Sequence, residues 1–152
     1  MIQRIEDKQQ KSAIVRKILE ALPDWFGVPE AREQYIRESA DHLLFAAMED
    51  GQPVGFLCLK ETGKATMELA LMGVLQPYHR QGIGRALFAA AKETAVRLGY
   101  HFMQVKTVQM GHYEDYDRTN LFYRSLGFEE FEVFPTYWDE ANPCQIYVMG
   151  LK

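Results

Sequence analysis

Val74-Leu-Gln-Pro-Tyr-His-Arg-Gln-Gly-Ile-Gly-Arg-Ala-Leu87 joins an apolar, strand-like run to a helix-forming segment. Pro77 stops the strand from continuing, because proline cannot donate a backbone hydrogen bond. Gly82 and Gly84 then remove side chains where the N–H groups of a helix N-terminus converge. Those groups are unpaired and lie at the positive end of the helix dipole. The stretch therefore predicts a cradle for a phosphate or pyrophosphate.

Two widely used phosphate motifs do not match this glycine turn. The Walker pattern requires Lys-Ser or Lys-Thr after the last glycine, and Arg85-Ala86 follows here. The dinucleotide fingerprint requires a small residue three positions after Gly84, where Leu87 lies. A β–α turn that binds no ligand is a further alternative. Arg80 and Arg85 flank the turn, and both can add charge-assisted hydrogen bonds to phosphate oxygens.

The turn resembles the pyrophosphate loop of the GNAT superfamily of acyl-CoA N-acyltransferases, whose pattern is Gln/Arg-x-x-Gly-x-Gly/Ala. The six matching positions here are His79, Arg80, Gln81, Gly82, Ile83 and Gly84. His79 departs from the Gln or Arg that is usual at the first position. The resemblance implies that these residues, together with Arg85, bind acetyl-CoA as the co-substrate.

Length and composition predict one domain over residues 1–152, of the size of an ordinary soluble domain. A formal charge of −4 argues against nucleic acid as an obligatory partner. No apolar run reaches membrane-spanning length. Cys58 and Cys144 lack metal-ligand spacing and are expected to be reduced thiols of a cytoplasmic protein, and the four scattered histidines predict no metal site. A monomer or a homodimer is expected.

Hydrophobic periodicity predicts the element order ααβββαβαββ. Helices are expected over residues 8–22, from Pro29, from the glycine turn to Gly99, and over 119–126; residues 111–118 are expected to be a loop. The third helix should bury one apolar face, formed by Ile83, Leu87, Ala91, Ala95 and Leu98. Strands are expected over residues 43–48, 54–60, 65–74, 102–108, 131–136 and 145–149. This order predicts an α/β (α+β) domain with a mixed sheet and helices on both faces. The resemblance implies that the domain is GNAT-like and that its sheet is mostly antiparallel.

Glu68 is the candidate catalytic carboxylate. In the third strand it shares a face with Ala70, Met72 and Val74, so it points the same way as the strand end that enters the glycine turn. A glutamate among apolar strand residues is either a general base or a solvated strand carboxylate. The resemblance implies that Glu68 is the base, that the backbone N–H of Met72 polarises the thioester carbonyl, and that Val74 bonds the pantetheine arm.

Asn120-Leu-Phe-Tyr-Arg-Ser-Leu-Gly-Phe128 is similar to the second signature of the family. A helix places Asn120 and Tyr123 three residues apart on one face. The resemblance implies that both contact the cofactor, and that the Tyr123 hydroxyl protonates the departing thiolate. The alternative is an amphipathic helix whose tyrosine only packs.

The resemblance implies an N-acetyltransferase that moves an acetyl group from acetyl-CoA to an amine of a small molecule or peptide by direct attack, without an acyl-enzyme. The alternative is a non-catalytic acyl-CoA-binding module. Aromatic and acidic residues that suit a cationic amine lie in four segments: Trp25-Phe26, Tyr35, residues 113–117 and residues 137–140. A solvated acidic loop together with core aromatics explains the same composition.

Overall fold

The computed structural model describes residues 1–151 as seven strands and four helices. In chain order these are β1 (Ile2–Ile5), α1 (Lys8–Glu20), α2 (Pro29–Ser39), β2 (Leu43–Glu49), β3 (Gln52–Gly63), β4 (Thr66–Val74), α3 (Ile83–Arg97), β5 (Phe102–Val108), α4 (Glu114–Ser125), β6 (Glu129–Asp139) and β7 (Asn142–Gly150). The strands form a seven-stranded sheet in the order β1-β2-β3-β4-β5-β7-β6. The β4–β5 pair is parallel, and the β1–β2, β2–β3, β5–β7 and β6–β7 pairs are antiparallel. The predicted mixed, mostly antiparallel sheet is confirmed.

Local sequence signals explain where several elements begin and end. Asp7 caps α1, since its carboxylate accepts a hydrogen bond from the backbone N–H of Gln10. Pro29 occupies the first turn of α2, as predicted. Asp50 and Gly51 both have positive φ, 50° and 77°, which is the conformation of a type I′ hairpin turn between β2 and β3.

Strand β1 was not predicted. It has four residues, of which only Ile5 is buried, so it lacks the alternation that identifies a strand in sequence. Its pairing with β2, from Ile2 opposite Ala47 to Ile5 opposite Leu44, makes it a strand. Tertiary pairing decides this element, and local pattern does not.

The predicted loop over residues 111–118 is wrong in its second half. Helix α4 begins at Glu114, five residues earlier than expected. Glu114, Asp115 and Asp117 lie in its first turn, where negative charge is favoured by the helix dipole. The acidic residues that suggested a surface loop form the start of a helix.

Helix α3 ends one residue before Leu98, so the predicted place of Leu98 on its apolar face is also wrong. Leu98 is 54% exposed, whereas Leu87, Ala91 and Ala95 are fully buried. Gly99 follows with φ of 89°, and it terminates the helix as predicted.

Residues 1–60 and 70–94 form one compact unit, which holds a hydrophobic core built on α1. The core residues of this unit include Val15, Ile18, Leu19, Leu44 and Phe56, all fully buried. Gly73 of β4 lies directly on this core, because a Cβ there would come within 3.1 Å of Ile18 and 3.2 Å of Leu22 and Phe56. A side chain at residue 73 would therefore force these three core side chains to shift by a few tenths of an ångström.

Residues 61–69 and those from 95 onward form the second unit. Strand β5 pairs with β7 over seven positions, and with the first four residues of β4. Met103, Val105 and Tyr147 are among its most deeply buried large side chains. This unit contains Glu68, Asn120 and Tyr123.

Replacing Gly73 by alanine should lower the free energy of unfolding by about 1–3 kcal/mol, since the methyl group overpacks a filled core. Gly63→Ala is the matched control, because a Cβ at this exposed strand end meets no heavy atom within 4 Å. Urea denaturation followed by circular dichroism measures both. A Gly73→Ala variant as stable as Gly63→Ala would contradict the packing described here.

Candidate functional site

The glycine turn connects β4 to α3 through a 3₁₀ turn at Gln76–Tyr78. Two residues of the turn have left-handed backbone, Arg80 with φ of 63° and Gly82 with φ of 80°. A β-carbon at Gly82 would project into open space, with no heavy atom within 4 Å. Glycine is favoured at this position by its backbone conformation, and the space beside it is open to a ligand.

Helix α3 begins immediately after Gly82. The Gly82 carbonyl accepts the first helical hydrogen bond, from the N–H of Ala86 at 3.0 Å. The N–H groups of Ile83 and Gly84 therefore belong to the first turn, where the helix itself supplies no acceptor. Glycine at the capping position offers no side chain to these donors. The arrangement fits a phosphate or pyrophosphate oxygen.

Two side chains of the turn bond to its own backbone. His79 Nε2 donates a hydrogen bond to the Val74 carbonyl at 2.6 Å, and Gln81 Nε2 donates to the Pro77 carbonyl at 3.1 Å. The His79 ring also lies edge-on to Trp25, with 6.0 Å between ring centroids. At the first position of the motif, where Gln or Arg is usual, His79 thus stabilises the turn through its contacts with Val74 and Trp25.

A cavity of about 260 Å³ adjoins the turn. Gln81, Gly82, Ile83 and Ala86 line it together with Glu49 and apolar residues of the first unit. Arg80 and Arg85, the cations that flank the turn, are both exposed. Of the predicted cradle residues, Gln81, Gly82 and Ile83 border this cavity, and the cradle stays a prediction.

Met72 and Val74 lie in the last part of β4, beyond the end of its pairing with β5. The parallel ladder covers only Thr66–Leu69, opposite residues 102–105. Both side chains are half-buried. The parallel β4–β5 ladder therefore includes neither Met72 nor Val74, and it provides no hydrogen bond to their backbone groups.

Glu68 is buried, with 6% of its surface exposed, which excludes the solvated strand carboxylate. Its Oε1 accepts hydrogen bonds from Lys106 Nζ at 2.5 Å and from Gln104 Nε2 at 2.9 Å. Burial lowers the pKa of Lys106, but the hydrogen bond and charge of Glu68 outweigh burial, so that the pKa is raised. Lys106 is therefore an ammonium at neutral pH, paired with the candidate base.

Sequence reasoning missed Gln104 and Lys106. Both lie on β5, and in the parallel register Gln104 is directly opposite Glu68. Lys106 follows two residues later on the same face. The available signal was the alternation of Gln104 and Lys106 with the apolar residues Met103 and Val105.

Asn120 is fully buried, and its side-chain amide forms hydrogen bonds within the protein. Its Nδ2 donates to the Val108 carbonyl at 2.9 Å and the Tyr116 carbonyl at 2.7 Å, and its Oδ1 accepts from the Tyr147 hydroxyl at 2.6 Å. Since both amide N–H groups are engaged, Asn120 ties α4 to the end of β5. These bonds give Asn120 a positioning role in the fold, and its expected contact with the cofactor stays a prediction.

Tyr123 lies one turn from Asn120 on α4 and is buried, with 8% exposed. Its ring contacts Phe128 and Tyr147, with centroids 6.0 and 6.2 Å away. Burial, and to a smaller extent the nearby Tyr116, raises the pKa of Tyr123, so the phenol stays protonated at neutral pH. Within residues 1–151 the Tyr123 hydroxyl has no hydrogen-bond partner.

Cysteine and metal chemistry receive no support from the described residues. Cys58 and Cys144 are free, buried thiols, and burial raises the pKa of Cys58 to about 12. No group of three or more His, Cys, Asp or Glu side chains in residues 1–151 is placed to hold a metal ion. Among the helices of this range, none has the length and hydrophobicity needed to cross a membrane.

Comparison with solved structures shows the fold. A GNAT-family acetyltransferase from Desulfovibrio desulfuricans superposes with a TM-score of 0.87 at 21% identity, over 100% of this chain and 99% of that chain. An IAA acetyltransferase from Bacillus cereus has a TM-score of 0.77 at 21% identity, with 99% of each chain covered. An aminoglycoside 6'-N-acetyltransferase, solved with coenzyme A, has a TM-score of 0.74 at 17% identity, over 99% of this chain and 96% of that chain.

A search of curated proteins found no match to the sequence. The family model described as the acetyltransferase (GNAT) domain matches residues 40–130. This range contains the glycine turn, Glu68 and the Asn120–Tyr123 helix, so the match covers the three features described above. The chain belongs to the GNAT acetyltransferase family.

Proposed function

We propose that this protein is an N-acetyltransferase that moves an acetyl group from acetyl-CoA to an amine by direct attack. The observation that carries the proposal is the open start of α3, where Gly82 leaves amide donors and free space for a pyrophosphate. Membership of the GNAT family supports acetyl-CoA as the source of the anion. The acceptor is an amine of a small molecule or peptide.

The cradle residues serve the donor. Backbone N–H groups at the start of α3 bind the pyrophosphate, and Arg80 and Arg85 add charge-assisted hydrogen bonds. His79 and Gln81 keep the turn in shape through their bonds to Val74 and Pro77. Acetyl-CoA supplies a thioester, which is activated for acyl transfer.

Deprotonation of the acceptor falls to Glu68. A primary amine with a pKa near 10 arrives as an ammonium, and it must lose a proton before it can attack a carbonyl carbon. Glu68 accepts that proton directly or through a water. The backbone N–H of Met72 stabilises the negative charge that develops on the carbonyl oxygen.

Tyr123 is the general acid in this mechanism. Its side chain is largely buried, its phenol is protonated at neutral pH, and its hydroxyl has no hydrogen-bond partner in residues 1–151, so the hydroxyl can donate to a thiolate. The buried cysteines have no part in the mechanism, because a thiol with the pKa of Cys58 is protonated and inaccessible. No acyl-enzyme is formed.

Incubation with acetyl-CoA and a panel of amines, with release of free thiol as the measurement, tests the proposal. We expect amine-dependent thiol release, with N-acetylated product detected by mass spectrometry. Acetyl-CoA that binds but releases no thiol with any amine would contradict catalysis.

The cradle is tested separately by Gly82→Ala. The added methyl group projects into the space proposed for the pyrophosphate, so we expect the dissociation constant for coenzyme A to rise at least about tenfold, a change of about 1.4 kcal/mol. Gly99→Ala is the matched control, since it carries a similar backbone strain at φ of 89° with equally open surroundings. Equal affinity of the two variants, measured by calorimetry, would refute the cradle.

Tyr123→Phe should lower kcat about 10²-fold, the lower range for general acid catalysis, because a thiolate is already a moderately good leaving group. Affinity for coenzyme A should change little. Tyr100→Phe removes a hydroxyl that bonds to Glu61, outside the proposed site, and should keep full turnover. An undiminished kcat in the Tyr123→Phe variant would contradict the role of Tyr123 as the general acid.

A non-catalytic acyl-CoA-binding module is the second candidate function. The ion pair of Glu68 with Lys106 favours it, because the ammonium at 2.5 Å already occupies the carboxylate that a base would need. Such a module would bind coenzyme A and show the Gly82→Ala effect, yet release no thiol with any amine.

A further inference from the structure

The Lys106 ammonium lies between a carboxylate and an aromatic ring. Its Nζ is 2.5 Å from Glu68 Oε1 and 5.6 Å from the centroid of the Tyr137 ring. Glu68 is 6% exposed and Tyr137 is 57% exposed, so the carboxylate is the buried partner and the ring is the outer one. A carboxylate with an aromatic face opposite is the setting that binds an alkylammonium.

This setting coincides with the place that the proposed reaction reserves for the acceptor. A general base comes within hydrogen-bond distance of the nitrogen that it deprotonates, directly or through one water. If Glu68 accepts the proton directly at Oε1, the acceptor nitrogen occupies the position that Lys106 Nζ now holds. The lysine side chain is an unbranched alkyl chain ending in a primary ammonium.

Charge balance prevents both cations from sharing this carboxylate. The Glu68–Lys106 pair is neutral overall. Both side chains are largely buried, with 7% of the Glu68 side chain and 20% of the Lys106 side chain exposed. A second ammonium would leave one buried positive charge unpaired, which is unfavourable in a site of low dielectric. Lys106 has a flexible four-carbon stem and can carry its charge outward.

We propose that Lys106 acts as an internal stand-in for the substrate, and that the acceptor is a primary alkylammonium that displaces it from Glu68 and packs against Tyr137. This inference rests on the proposed function and names its substrate class and a specificity-determining residue. Phe134 and Trp138 flank Tyr137, with ring centroids 6.5 and 5.9 Å away, and they extend the aromatic surface available to the alkyl part.

The first test removes the competitor. Lys106→Met keeps most of the chain volume without the charge, so n-butylammonium should bind at least tenfold more tightly than to the wild type, while n-butanol binds equally to both. With an acceptor from the amine panel, KM should fall at least tenfold with kcat within about threefold of the wild type. Lys92→Met, which removes an exposed lysine, should change neither value. Unchanged or weaker binding of n-butylammonium to Lys106→Met would overturn the proposal.

The second test uses the wild type and does not depend on the stability of a variant. In protein labelled with ¹³C-lysine, the side-chain signal of Lys106 is identified as the signal missing from Lys106→Arg. Saturating n-butylammonium should shift that signal and leave those of other lysines in place. An amine that binds or is acetylated while the Lys106 signal stays unmoved would overturn displacement.

Failure of the proposed function gives a different result. If no amine releases thiol, acetyl transfer is refuted, yet butylammonium still shifts the Lys106 signal where the cation site exists. If amines are acetylated and the Lys106 signal and KM stay unchanged, catalysis stands and the substrate-mimic role is refuted.

Discussion

The start of helix α3 is the constraint on which the candidate function depends. A helix leaves its first N–H groups without internal partners, and a glycine cap supplies no side-chain acceptor. Gly82 is exposed and Ile83 and Gly84 are half-buried, so either water or an anion can complete this end of the helix. Gly82 allows the left-handed turn that exposes these donors, and the bonds of His79 and Gln81 to the preceding backbone hold the turn open. The backbone geometry is therefore compatible with the anion site that we propose.

Electrostatics in the second unit pose a different problem. Glu68 is buried, and burial of an unpaired carboxylate is strongly unfavourable, so Lys106 and Gln104 both bond to it. Removing one partner of such a buried pair generally destabilises a protein by about 3–5 kcal/mol. The ion pair with Lys106 offsets the cost of burying Glu68, and it also occupies the carboxylate oxygen Oε1. Displacement of Lys106 by a substrate ammonium would reconcile the pairing of buried Glu68 with its proposed use as a base. The carboxylate is then paired with a cation both before and after the substrate binds.

Much of the fold was predictable because its signals are local. Asp50-Gly51 predicted a hairpin turn, Pro29 the start of α2 and Gly99 the end of α3, each through a backbone preference that belongs to the residue itself. Strand β1 and the first turn of α4 were missed. A four-residue strand with one buried side chain exists through its pairing with β2, and acidic residues at a helix start have the composition of a loop. The cradle residues adjoin one another in sequence and were found together, whereas the partners of Glu68 lie 36 and 38 residues away along the chain.

The sequence by itself determined the glycine turn, since positive φ and an uncapped helix start are properties of consecutive residues. It also determined the candidate pair Glu68 and Tyr123 through their resemblance to family signatures. Only the tertiary structure decided the surroundings of these side chains. The β4–β5 register brings Lys106 onto Glu68, and the packing of α4 engages the Asn120 amide and buries the Tyr123 phenol. Charge pairing and burial depend on residues distant in sequence, and no local pattern specifies them.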